Sequence, residues 1–348
     1  MRAEKLTRIY DGLRAVDTLI AKAIRVDELA QTARIETKLR EYIAVQWEDL
    51  AKQASRTVTA RLRKGKGPVT DAEIAPLNKL VDRTMAQWSG RIADRYTEDM
   101  RETYELAHIA ANKRALGRRK RSMEFTTRPW DTGEVKKAAP IPAAEIGANF
   151  DLVDLANMDA FEDQQLFWIG QHYDENVSKH VHDTARAHII EQGRGRVEAG
   201  KTMQKVVATA LNEVRVPGGF NGTAKKYFEG LVANSATVQR VTAEVNSFKR
   251  VGIETYTVVN VLDHRTCPIC DAMNGKTFKI SDADKLVARL RNAKDPTDVK
   301  KIQPFMSVAD SKLSNSALVA RGNILSPFHL KCRCSIDITE EEELIPVL

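Results

Sequence analysis

The chain has 348 residues, 43% of them hydrophobic and 29% charged, and its 54 Lys+Arg exceed 47 Asp+Glu for a formal net charge of +7. That length suits two or three globular units, and the composition is too apolar for a disordered chain. Four cysteines are too few for a disulfide-rich secreted scaffold, no run approaches the roughly 18 apolar residues of a membrane span, and the opening MRAEKLTRIYDGLRAVDTLI lacks the apolar core of a signal peptide. The expectation is a soluble protein of a reducing compartment with no membrane partner.

Residues 1–125 read as a helical, basic-rich region. Leu13, Val16, Ile20 and Ile24 recur at spacings of three and four, as do Leu39, Ile43, Trp47 and Leu50, the stripe of a helix with one buried face. Gly65, Gly67 and Pro68 break the pattern, which resumes through Ile74, Leu77, Leu80, Val81 and Trp88 to Leu106. Pro129, Gly133, Pro140 and Pro142 then fall in a stretch without period, so residues 126–150 are expected to be a linker. Helical patterning returns over 151–252. One helix is expected through Val206, Val207, Leu211 and Val214, stopping before Pro217-Gly218-Gly219. The next has Thr223 as N-cap, carries Val238, Val241, Val245 and Phe248, and ends at Gly252.

From Ile253 to Val261 the chain is rich in Thr, Val and Tyr, the strongest strand candidate. A second short strand from Thr277 to Ile280, a short helix from Asp282 to Asn292, an irregular excursion over 293–325 and a strand from Ser335 to Ile338 complete a small α+β unit over 253–340. Residues 341–348 end an acidic tail. The fold class is therefore mainly α and multi-domain, a helical N-terminal region plus a C-terminal α+β unit.

The charge is segregated. Residues 51–150 carry 20 basic against 12 acidic side chains, residues 151–200 reverse this with 4 against 10, and residues 201–250 return to 8 against 3. The densest runs are Arg61, Arg63, Lys64 and Lys66, and Lys113, Arg114, Arg118, Arg119, Lys120 and Arg121. Such runs could neutralise the phosphates of double-stranded DNA without reading sequence. The plainer reading is a solvated helix end, because no aromatic side chains interleave to stack on bases.

All four cysteines fall between positions 267 and 334. Cys267-Pro268-Ile269-Cys270 follows the strand candidate, and Asn274-Gly275 precedes the next strand. On a tight turn of a β-hairpin this would be a zinc knuckle, the two-residue spacer letting both thiolates reach one ion. Near the C-terminus His329 and Cys332 repeat the spacer, and Cys334 lies two residues on. Five donors compete for four tetrahedral positions: Cys267, Cys270, His329 and either Cys332 or Cys334. A redox dithiol is disfavoured because thioredoxin-like motifs open a helix after a strand. A structural Zn2+ with four protein ligands leaves no open position for a reacting water. Fifty-eight residues separate Cys270 from His329, and a metal ion would clip the ends of that long excursion together.

The order of Thr242-Ala243-Glu244, a strand, Asp263-x-Arg265-Thr266-Cys267-Pro268-x-Cys270, Gly275-Lys276-x-Phe278 and Pro327-Phe328-His329-x-x-Cys332-Arg333-Cys334 resembles the head-morphogenesis, or minor capsid, proteins of tailed bacteriophages, similar to the F protein of phage Mu and gene product 7 of phage SPP1. The match covers roughly 155–340, so 151–252 would be the helical part of a head-morphogenesis domain. The resemblance implies a non-enzymatic protein present in few copies inside the head, near the portal vertex, after assembly in the host cytoplasm. Its implied partners are the portal and the major capsid or scaffolding protein, with packaged DNA as a candidate partner for the basic region. Asp263, Arg265, Gly275 and Arg333 are carried over as framework positions.

The competing reading is a metal-dependent nuclease or toxin of the His-Asn-His type, which also uses Cys-x-x-Cys knuckles. Such a site needs a general base beside a metal-held phosphate, and His264 is the only further histidine near the cluster. A second candidate metal set is His172, His180, His182 and His188 with Asp174, Glu175 and Asp183, more simply read as a polar helix with titrating surface histidines. No phosphate-binding Gly-rich motif is present.

Overall fold

Thr70 and Glu73 show how local chemistry sets the ends of the long helices. The Glu73 carboxylate accepts from the Thr70 backbone N–H at 3.1 Å, and the Glu73 N–H donates to the Thr70 carbonyl at 3.0 Å, a capping arrangement that starts α2 (Asp71–Thr126). The helix before it, α1, spans Arg2–Lys64. This computed structural model describes residues 2–64, 70–126, 150, 152–169, 213–216, 220–260 and 266–339, with 179, 183, 187, 201 and 205 as isolated positions. Apart from Thr126 and Phe150, the expected linker lies outside the described residues. By its contacts the chain divides into two compact units, each gathered from separated stretches: Met1–Ile35, Arg101–Phe161 and Ala236–Leu348 form one, and Glu36–Met100 with Glu162–Ser235 the other.

The second of these units is built on helix faces. Leu39, Ile43, Trp47 and Leu50 of α1 are buried, as are Leu77, Val81, Met85, Trp88, Ile92 and Tyr96 of α2, so the sequence periodicity marks the core faces. Trp47, Trp88 and Phe228 form an aromatic cluster with ring centroids 4.8 to 5.7 Å apart. The helix expected through Val214 is corrected at its end. Glu213–Val216 is a strand, β1, paired antiparallel with β2 (Phe220–Thr223). The physical reason is local: Val214 and Val216 alternate with charged residues ahead of Pro217-Gly218-Gly219, a period-two pattern followed by a turn signal. Residues 206–212 lie outside the described residues.

After α3 (Leu152–Ile169) comes α4 (Ala224–Arg250), on which the other unit centres and whose residues from Ala236 onward belong to it. Thr223 caps the helix start, accepting from the Lys226 N–H at 3.3 Å. Gly252, at φ 79°, ends it: Ile253 N–H reaches the Phe248 carbonyl at 2.9 Å and Gly252 N–H reaches Lys249 at 3.1 Å, the paired bonds of a left-handed helix stop. The chain then enters β3 (Thr255–Val259), the centre of a three-stranded antiparallel sheet ordered β4-β3-β5, with β4 at Thr277–Lys279 and β5 at Ser335–Ile338. Tyr256 pairs with Phe278 on one side and Ile338 on the other.

Two expectations are corrected here. The connection from β3 to β4 is not a tight turn but contains the helix α5 (Pro268–Met273), because Cys267 is held extended before a proline and Pro268 is preorganised for the first helical position. The segment 293–325 is not irregular. After α6 (Ile280–Arg291) it folds into α7 (Pro296–Ile302), a 3-10 turn (Asp310–Lys312) and α8 (Asn315–Arg321). Asp295 and Ser314 cap α7 and α8 through side-chain bonds to Thr297 and Ala317 N–H groups. Met306, Leu318, Ile324, Leu325 and Phe328 bury this segment in the same core as Val245, Phe248, Tyr256 and Ile336, so the excursion holds its place through its own apolar contacts. The fold is mainly helical with this small sheet near the C-terminus. No helix of the described residues is long and apolar enough to cross a membrane.

Candidate metal centre

The five donors predicted from sequence come together beside the β4-β3-β5 sheet. Cys267 caps α5, its sulfur accepting from the Cys270 N–H at 3.4 Å, and Cys270 sits one turn into the helix. Asn260, just after β3, anchors that helix by donating its Nδ2 to the Cys270 carbonyl at 3.2 Å, while its N–H is received by Asn274 at 3.0 Å. Gly275 then turns the chain at φ 81°, a left-handed conformation that suits glycine. From the other end of the segment, His329 presents Nε2 to the sulfurs of Cys267 at 3.1 Å and Cys270 at 3.0 Å, and the Cys270 and Cys332 sulfurs are 3.9 Å apart.

Two groups of donor atoms emerge, Cys267 with Cys270 and His329, and Cys270 with Cys332 and Cys334, the atoms of each lying within 4.8 Å of one another. Either could hold a metal ion. All four cysteines are free thiols; Cys270, Cys332 and Cys334 are buried and Cys267 is partly exposed. The Cys-x-x-Cys does open a helix, so the sequence argument against a redox dithiol does not hold. What distinguishes this site is that His329 faces both sulfurs.

The electrostatics follow from this crowding. The thiols of Cys270 and Cys332 push the His329 imidazole up to about 11. Burial opposes ionisation of Cys267, yet the Cys270 N–H and His329 draw its thiol below the ordinary value. Hydrogen bonds from Cys270 and Cys334 depress Cys332, while Cys270 and Cys332 raise Cys334. Protons are thus shared unequally among donors that a cation would hold deprotonated.

The support beneath the site comes from α4. Thr237 Oγ1 donates to the Cys332 carbonyl at 2.8 Å, and Arg240 Nη2 donates to the Cys334 carbonyl at 2.8 Å. Glu244 receives Ser335 Oγ at 2.8 Å and the Ile336 N–H at 3.4 Å, which fixes the start of β5. Thr237, Arg240, Glu244 and Ser247 are all buried. Sequence reasoning read α4 from its Val stripe and quoted Glu244 only as part of a motif. The signal for the rest was a second stripe, polar and at spacings of three, four and three, beside the apolar one.

Other sequence candidates fare differently. Asp263, His264 and Arg265 lie outside the described residues, as do His172, Asp174, Glu175, His180, His182 and His188; Asp183 is helical and exposed. Within the basic runs, Arg61, Lys64 and Lys113 are exposed, but Arg114 is buried and bonds Glu244 Oε1 at 2.7 Å. It is a structural cation, unavailable to phosphate. No family model, curated protein or solved structure matches the chain.

Proposed function

We propose that the chain is a minor capsid, head-morphogenesis protein of a tailed bacteriophage whose Cys/His site holds a structural zinc ion. The observation that carries the reading is the meeting of Cys267 and Cys270 with His329 and Cys332 at one place on the sheet, the two halves of the motif pair on which the resemblance rests.

The donors fit zinc. Thiolates at about 2.3 Å and an imidazole nitrogen at about 2.0 Å from a tetrahedral ion stand roughly 3.8 Å apart for S–S and 3.5 Å for S–N. The 3.9 Å separation of Cys270 and Cys332 matches the first value. The 3.0 and 3.1 Å sulfur–nitrogen contacts are tighter, as for donors drawn together by hydrogen bonds. When bound, zinc supplies a cross-link between the start of α5 and the segment entering β5. Four protein ligands leave no coordination position for a reacting water.

On this reading the chain acts by binding and not by catalysis. It engages the portal and the major capsid or scaffolding protein while heads assemble in the host cytoplasm, and it remains inside the head near the portal vertex. Exposed basic side chains, Arg61 and Lys64 in one unit and Lys113 in the other, are candidates for contact with packaged DNA. The test is to purify heads from the phage or prophage that encodes the chain and quantify it by mass spectrometry. A few copies per head, lost together with infectivity on deletion and restored by complementation, is the expected result. Absence from heads, or metal-dependent cleavage of DNA by the purified chain, overturns the reading in favour of the nuclease alternative.

A further inference from the structure

Cys270 belongs to both donor groups of the metal centre. Its sulfur lies within 4.8 Å of Cys267 and His329 in one, and within 4.8 Å of the Cys332 and Cys334 sulfurs in the other. Across the long segment that separates them in sequence, the Cys270 and Cys332 sulfurs are 3.9 Å apart. All of these thiols are free.

What gathers the sulfurs is the protein and not an ion. Asn260 Nδ2 holds the Cys270 carbonyl at 3.2 Å and Thr237 Oγ1 holds the Cys332 carbonyl at 2.8 Å. Arg240 Nη2 and Ser326 Oγ hold the Cys334 carbonyl, each at 2.8 Å. Met306, Leu318 and Phe328 of the intervening segment share one apolar core with Cys270, Cys332 and Cys334. The two halves of the centre therefore stay together with or without a metal ion, and thiols held as neighbours react far faster than thiols that must find one another.

We infer that the centre is a redox-exchangeable closure: under reducing conditions a metal ion joins α5 to the segment entering β5, and under oxidation Cys270 forms a disulfide with Cys332 or Cys334 and the ion leaves. This rests on the metal reading above. The oxidant is a peroxide. One sulfur attacks a peroxide oxygen and becomes a sulfenic acid, releasing water; the second sulfur attacks the first, forms the S–S bond and releases a second water. Two thiols thus lose two electrons and two protons while hydrogen peroxide is reduced to two waters. Starting from metal-bound thiolates, solvent supplies those protons. Of the five donors, a disulfide that uses two leaves three, one short of a closed tetrahedral site. The same two segments are cross-linked in either state. A chain assembled in a reducing cytoplasm and then carried outside the cell in a particle meets both conditions in turn.

The experiment uses the purified full chain, with its zinc measured first. One portion keeps its metal, and another is stripped with a chelator under a reductant that is then removed. Both receive a stoichiometric dose of hydrogen peroxide. Free thiols are then alkylated and counted, and the unreduced peptides are mapped by fragmentation mass spectrometry. The stripped chain should lose two of its four free thiols and yield a peptide pair joined from Cys270 to Cys332 or Cys334. The loaded chain should release one zinc ion for each such bond, read with a colorimetric zinc indicator, and dithiothreitol with added zinc should restore both the thiols and the ion. Cys270→Ser should form no bond between the two segments; the wild-type map decides by itself should that variant not fold. A bond through Cys267, a bond between Cys332 and Cys334, or thiols lost only to sulfinic acid overturns the inference while leaving the metal reading intact. A chain that carries no zinc and takes up none overturns the metal reading, and the exchange with it, whatever bond the peroxide forms.

Discussion

Arg114 on α2 and Glu244 on α4 meet at 2.7 Å with side chains 1% and 0% exposed, and the pair ties three elements together. Glu244 also receives Ser335 and Ile336 at the start of β5, while Arg114 Nη1 donates to the Ile336 carbonyl at 3.2 Å. Burial opposes the guanidinium charge, but Glu244, Asp337 and Glu28 hold Arg114 above its ordinary value. Removing one partner of a buried pair leaves the other uncompensated, at a cost of about 3–5 kcal/mol. Arg114→Met should lower stability to urea by that amount, and the double variant with Glu244→Gln should lose less than the sum of the single losses. Additive losses would show that the two side chains are not coupled.

Glu28 on α1 sits beside the same pair, with Arg114 Nη2 at 3.9 Å. Among the described residues neither of its carboxylate oxygens has a hydrogen-bond partner, since Arg114 is already committed to Glu244. Burial and the neighbouring Glu244 push its carboxyl from 4.5 up to about 7, against the pull of Arg240, Arg114 and Arg25. Between those values the folded chain holds a proton that the unfolded chain has released. Stability therefore falls as pH rises through the window and levels off above about 7. Glu28→Gln should flatten this slope and be the more stable form at pH 8, by at most about 3 kcal/mol. Equal slopes in wild type and variant would remove Glu28 as the cause.

Metal removal should act on one unit. A chelator, or Cys267→Ser, should lower the melting temperature of the unit containing the β4-β3-β5 sheet and expose 255–339 to protease. The aromatic cluster of the other unit should stay protected. Because α7 and α8 carry apolar core contacts, partial loosening is expected instead of complete unfolding. An unchanged melt and an unchanged digestion pattern would argue against any structural cation.

Trp88 is fully buried, with its ring centroid 4.8 Å from that of Trp47 and 5.4 Å from that of Phe228. Trp88→Ala should cost about 3–5 kcal/mol, seen as a lower midpoint in urea monitored by fluorescence of the remaining tryptophans. A loss below about 1 kcal/mol would mean the cluster repacks around the cavity.

Two glycines with similar backbone should respond differently to alanine. Gly252 and Gly322 have φ of 79° and 73°, but an added Cβ at Gly252 meets open space while one at Gly322 collides with the Ile302 carbonyl oxygen. Gly252→Ala should cost roughly 1–2 kcal/mol from backbone strain alone, and Gly322→Ala distinctly more. Equal costs in thermal denaturation would mean that α7 moves aside without penalty.

Much of the fold was legible because it is written locally. Leu39, Ile43, Trp47 and Leu50 declare a buried helix face by spacing, Thr223 and Gly252 declare helix ends by conformation, and Ser335–Ile338 was placed without error. The misreadings came where short signals competed. Asn274-Gly275 suggested a hairpin turn and outweighed the helix-starting Cys267-Pro268. In 293–325 the Asp295-Pro296 and Ser314 caps were present, but α7 and α8, at 7 residues each, are too short to display a period.

The sequence by itself determined which residues are candidate donors: five of them in two clusters, each with a two-residue spacer, are a property of composition and order. Only the tertiary structure decided what holds those donors in place, because the support lies in contacts between distant segments. Arg240 Nη2 and Ser326 Oγ each donate to the Cys334 carbonyl at 2.8 Å, and Thr237 Oγ1 donates to the Cys332 carbonyl at 2.8 Å. The +7 charge has the same history. A count cannot separate Lys113, which is exposed, from its neighbour Arg114, whose charge is spent inside the fold on Glu244, more than a hundred residues away.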